Sequence, residues 1–119
     1  MRWLSKTETS RSPSDREYER GLALIEEGEY FAAHEVLEDV WRAADPAERD
    51  FFQGLVHVAV AWYQAGRGNR VGCERQLEKA ARRLRPYEPV HRGLDVAALV
   101  TQLEGEAFPP AGEPILRRV

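Results

Sequence analysis

The stretch Phe51-Phe52-Gln53-Gly54-Leu55-Val56-His57-Val58-Ala59-Val60-Ala61-Trp62-Tyr63-Gln64-Ala65 decides the architecture. Placed on a helix at about 100° per residue, its apolar side chains cover most of the circumference. A helix of that kind belongs at the centre of a protein, with other elements packed round it. Gln53, His57 and Gln64 fall within about 40° of one another as one narrow polar row. Gly54, Ala61 and Ala65 border that row, and residues so small let a neighbouring element come close. Interrupted by these polar groups, the 15-residue stretch is too short and too polar to cross a bilayer.

Working outward, Asp45-Pro46 supplies a cap and a first-position proline for this central helix, which is predicted to run from Pro46 to about Gly66. The same proline ends a preceding helix that spans about Glu29 to Ala43, because the residue before a proline disfavours helical geometry. Ser12-Pro13-Ser14-Asp15 opens the first helix, which reaches about Glu27 and is stopped by Gly28. Downstream, Arg67-Gly68-Asn69 makes a turn and a fourth helix follows from about Arg70 to Arg85, halted at Pro86. Pro86 to Gly93 reads as a loop and Leu94 to Glu104 as a shorter fifth helix. No run alternates with period two for long enough to make a convincing strand. The expected fold is therefore all-α, one bundle of about five helices over residues 13–105. Residues 1–12 are expected to form a flexible arm, or a strap that docks on the bundle through Trp3 and Leu4, and residues 106–119 an irregular tail.

An internal echo supports this class. The segment from Leu22 through Gly28 to Leu37 lies over the segment from Trp62 through Gly68 to Leu77 at a constant offset of 40, with Ala33 matching Cys73. A helix, a glycine turn and a second helix is how tetratricopeptide-like hairpins look, although their period is about 34 and stable solenoids need about three units. Two units predict two antiparallel hairpins within a bundle.

Composition narrows the setting. The 119 residues are 43% hydrophobic and 31% charged with a net charge of −3, the balance of one globular domain. A single cysteine, Cys73, permits no internal disulfide and lies in line with Leu77, Ala80 and Leu84, so it reads as a buried structural thiol in a reducing cytoplasm. Lys6 and Glu8 interrupt the N-terminal segment before any signal-peptide core develops. The charge is uneven: residues 1–65 carry −6, residues 66–85 carry +5 and residues 86–119 carry −2. The cationic segment, Arg67, Arg70, Arg75, Lys79, Arg82, Arg83 and Arg85, is either a ridge for an anionic partner such as RNA or a solvated face eased by Glu78–Arg82 pairing.

On the second helix His34 and Glu38 stand four apart at the edge of the apolar stripe, within reach of each other, while Glu35, Asp39 and Arg42 point to solvent. A buried His or Gln without a partner costs about 1 to 3 kcal/mol, so the row on the third helix needs polar company. The expectation is that Glu38, His34, His57 and Gln53 converge between the second and third helices, where the carboxylate would raise a histidine pKa. Trp41 reads as a core anchor.

His34-Glu35-Val36-Leu37-Glu38-Asp39-Val40-Trp41 has the form HxxxExxW and is followed by Phe51-Phe52-Gln53-Gly54-Leu55 and Ala61-Trp62-Tyr63. From about Tyr18 to Leu84 the chain resembles the domain of unknown function family 309. The resemblance implies an all-helical domain in which His34, Glu38 and Trp41 are the motif positions, and it implies no activity.

The leading functional expectation is a small cytoplasmic binding or interaction module, with a groove lined by His34, Glu38, Gln53 and His57 and flanked by Trp41 and Gln64. Its partner would be a protein or small molecule, including a further copy of the chain, with no cofactor. The bland alternative is a buried network that fixes helix register. A third reading is a metal-dependent hydrolase with a divalent ion on His34, Glu38 and His57, although neither a Glu-x-x-His pair on two helices nor HExxH is present.

Overall fold

Five α-helices make up most of the residues that the computed structural model describes, 13–106 and 108–119. They are α1 (Pro13–Glu26), α2 (Tyr30–Ala43), α3 (Pro46–Gly66), α4 (Arg70–Leu84) and α5 (Val96–Gly105). The expected arm with Trp3 and Leu4, and the capping Ser12, lie outside the described residues.

Each of α2, α3 and α4 packs on the helix before it, and α5 packs on α4. Leu22, Ile25, Leu37, Phe51, Leu55 and Val58 are fully buried between them. Glycine permits two of these approaches. A Cβ on Gly21 would lie 2.6 Å from Leu37 of α2, and one on Gly54 would lie 2.6 Å from Leu84 of α4. The small-residue border of the central helix does what the sequence predicts, admitting α4.

The echo at offset 40 is reproduced in backbone geometry. Gly28 has φ +80° and Gly68 has φ +74°, a left-handed conformation that glycine adopts without a Cβ penalty. At each turn the glycine N–H donates to the carbonyl three residues back, Ile25 or Ala65, at 3.0 Å. The next N–H, of Glu29 or Asn69, donates to the carbonyl five residues back, Leu24 or Gln64, at 2.9 Å. This is the Schellman pattern, used twice. Asn69 then caps α4 through its side chain, accepting from Gly72 N at 2.9 Å.

The expected cap on α3 does not form. Asp45 occupies the N-cap position with extended backbone, but its side chain accepts nothing from the helix. Its backbone carbonyl takes Glu48 N–H instead, at 2.9 Å, and Pro46 leaves one fewer amide to satisfy.

Beyond α4 the expected loop is more ordered than its sequence implies. Arg85–Tyr87 forms a 3₁₀ turn, and β1 (Val90–His91) pairs antiparallel with β2 (Leu94–Asp95). Arg92 and Gly93, at φ +50° and +74°, supply the two positive φ values that a tight hairpin turn needs. Leu94 thus belongs to a strand, and Asp95 caps α5 by accepting from Ala98 N at 2.9 Å. Strands of two residues are too short to register as an alternating pattern. The C-terminal segment is held rather than loose: Arg118 bridges to Leu94, and Val119 N–H donates to Gly93 O at 2.8 Å. Gln102 clamps the backbone of Glu113 and Ile115 at 2.8 Å each, and Trp62 donates its indole N–H to Gly112 O at 2.7 Å. Leu116 is buried beneath. No helix among the described residues is long and apolar enough to cross a membrane.

Candidate functional site

α3 is central but not sealed. Gln53, His57, Val60 and Gln64 are only half-buried, and they fall on one side of the helix. α2 borders that strip on one flank and α4 on the other.

On the α2 flank, Tyr30, Phe31 and His34 meet Val60, Tyr63 and Gln64 around a hollow of about 160 Å³. Phe31 stands 4.9 Å from the His34 ring and 5.4 Å from the Tyr63 ring, centroid to centroid, and is 51% exposed. His34 donates from Nδ1 to Phe31 O at 2.8 Å, which turns Nε2 toward Glu38 Oε1 at 3.8 Å. Glu38 also faces Arg42 at 3.5 Å. A wider hollow of about 460 Å³ continues past Tyr30, Phe31 and Tyr63 to Arg67, which donates to Tyr63 Oη at 3.3 Å.

On the α4 flank, His57 donates from Nδ1 to Gln76 Oε1 at 2.6 Å. Arg83 donates to Asp50 at 2.7 Å, and Asn69 donates to Gln64 Oε1 at 3.0 Å. The expected convergence of Glu38, His34, His57 and Gln53 is therefore corrected: His34 and Glu38 lie together on α2, while His57 turns away to α4. Close approach at Gly54 brings α4 to the His57 side of the strip. The expected rise in histidine pKa is corrected with it. Burial holds His57 below the ordinary imidazole value; its bond to Gln76 opposes the shift, and the nearby Lys79, Arg83 and Arg82 add to it. The metal triad does not assemble either, because among the described residues no group of three His, Cys, Asp or Glu side chains is arranged to hold an ion.

Trp41 packs half-buried against the core with the Arg49 guanidinium 5.4 Å from its ring. Cys73 is buried and its thiol pKa is raised by that burial. In the cationic segment Arg70 pairs with Glu74, Arg83 with Asp50 and Arg85 with Glu104. Arg75, Lys79 and Arg82 have no ion-pair partner among the described residues, and the expected Glu78–Arg82 pair is absent there.

A second polar centre, unforeseen in the sequence, sits at the opposite end of the bundle. Arg92 donates to Glu48 at 2.8 Å and to Asp15 at 2.9 Å, and His91 Nε2 donates to Glu48 at 2.9 Å. The Arg92 guanidinium stacks 4.9 Å from the Phe52 ring. Burial would raise the Glu48 pKa, but the hydrogen bonds from Arg92 and His91 outweigh it and hold the carboxyl below its usual range. The partners are 43 to 77 residues apart, so no local motif could announce them.

Among the described residues the arrangement defines a helical bundle with an open, polar and aromatic face. Residues 18–76 match the domain of unknown function family DUF309, and over that part the chain belongs to the family. The chain is also similar to the uncharacterized protein YpuF of Bacillus subtilis (strain 168), 32% identical over 68 residues. That match spans 56% of this chain and 37% of the relative. No solved structure matches with significance.

Proposed function

We propose that this chain is a small protein-interaction module of the cytoplasm whose binding surface is the open face of α2, α3 and α4. The observation that supports it is the half-buried strip of α3, Gln53, His57, Val60 and Gln64, which no other described element covers between the two helices and which ends in the Phe31–Tyr63 hollow. A volume of about 160 Å³ suits one apolar side chain of a partner, with His34, Gln64 and Arg67 as polar rim. Aromatic anchors in a desolvated pocket with a polar surround are how protein interfaces concentrate affinity. The twin glycine turns favour reading the first four helices as two tetratricopeptide-like hairpins that present this face.

N-acetyl-tryptophanamide titrated into the ¹⁵N-labelled protein tests the reading. Shifts are expected at Phe31, His34, Tyr63 and Gln64 and are lost in Phe31→Ala. Shifts centred elsewhere, or none, would overturn it.

A further inference from the structure

The open face carries opposite charge on its two flanks, and we propose that its occupant is a second copy of this chain, related by a two-fold axis running along the α3 strip. The proposal rests on the reading of that face as the binding surface. Its basis is a comparison of the two repeat units. At the 40-residue offset, Glu35 of α2 corresponds to Arg75 of α4, and Asp39 to Lys79. At these two positions the equivalent outward stripes have opposite sign, with Asp39 also paired to Arg42 of its own helix at 3.2 Å. Each stripe also begins with an exposed apolar residue, Phe31 at 51% and Val71 at 59% exposure.

Ring and side-chain contacts fix the helix directions. Phe31 meets Tyr63 and Trp41 meets Arg49 across α2 and α3, while Asn69 meets Gln64 and Arg83 meets Asp50 across α3 and α4. Both pairs are antiparallel, so α2 and α4 run the same way. A four-residue step advances about 6 Å along either helix, and the two stripes therefore share one spacing. A two-fold axis parallel to the helices sets α2 of each copy against α4 of the other without reversing direction. Phe31 then faces Val71, Glu35 faces Arg75 and Asp39 faces Lys79, each twice. An isologous interface requires a patch complementary to itself, and acid on one side of a line with base on the other meets that requirement. A nucleic acid would use only the α4 side, and its phosphates would meet the carboxylates of α2.

Sedimentation velocity on the full chain from about 5 to about 500 μM, at about 50 mM and about 500 mM NaCl, tests the proposal. A dimer that dissociates in high salt is expected. The variants Arg75→Glu/Lys79→Glu and Glu35→Lys/Asp39→Lys each place like charges across the axis and should each weaken self-association about tenfold or more. Mixed together they should recover a heterodimer, which also establishes that both are folded. A wild-type monomer throughout, a dimer indifferent to both variants, or a mixture that stays monomeric would overturn the proposal. So would a monomer that binds a poly(U) oligonucleotide through Arg75 and Lys79. If the chain is monomeric while N-acetyl-tryptophanamide still shifts Phe31 and Tyr63, the second-copy proposal falls and the groove reading stands. If that probe is also silent, both fall.

Discussion

His57 is the residue at which local pattern and packing part company. Because burial depresses its pKa below 6.5, the unfolded chain takes up this proton more readily than the folded one. Stability then falls as the pH drops below the ordinary imidazole value, and the loss levels off once the pH is beneath the lowered one. Urea unfolding at pH values from neutral to mildly acidic should show this loss in the wild type and a smaller one in His57→Gln. Equal slopes would mean that the imidazole senses no burial. The polar row itself was legible, since angles within one helix follow from residue spacing. Its partner was not, because the neighbour that leans over a row depends on the path of the whole chain. A cue was nevertheless present: Gly54, Ala61 and Ala65 border the row on the flank where His57 stands, and that is the flank where α4 arrives.

At the scale of elements, the glycines carry the clearest information. Gly28 and Gly68 ended helices where the sequence placed the ends, since a Schellman turn needs a left-handed residue and little else. Gly54 is different in kind, being required by closeness between helices. Gly54→Ala gains helix propensity of about 1 kcal/mol but forces a methyl to 2.6 Å from the buried Leu84 side chain. The expected outcome is a net loss of about 1 to 3 kcal/mol. In the Leu84→Ala background the same change should cost less, because the clashing atoms are gone, and thermal unfolding of the four proteins in the cycle measures the difference. The hairpin of β1 and β2 stayed hidden for the opposite reason. Its strands are too short for a periodic signature, and its turn places Arg92, a residue with no particular preference for positive φ, at +50°.

The whole molecule is tied by contacts between its extremes. Arg92 joins Asp15 of α1 and Glu48 of α3 to the hairpin, and Arg118 pairs with Glu19 at 2.9 Å. Glu48 is the shared acceptor, and its depressed pKa contributes stability that is present above the usual carboxylate range and lost as the pH falls through the folded value. Glu48→Gln should therefore lose about 1 to 2 kcal/mol at neutral pH and match the wild type in strong acid, as read from denaturant midpoints. A deficit that persists in acid would assign the effect to packing. Partners this far apart in sequence leave no mark that a reading of neighbours can find, whereas each helix and its glycine stop could be placed from a dozen adjacent residues.

These ties also bear on how the chain is ordered. The middle of α1 and the C-terminal segment meet through Glu19 and Arg118, so the network of contacts closes on itself like a ring. On a ring, the point at which the backbone is cut matters less than the sequence of packed neighbours around it. A backbone opened in the turn at Gly68 would therefore keep each helix beside the neighbour it has now, its two parts held by the packing of α3 on α4 and by the pair of Glu19 with Arg118.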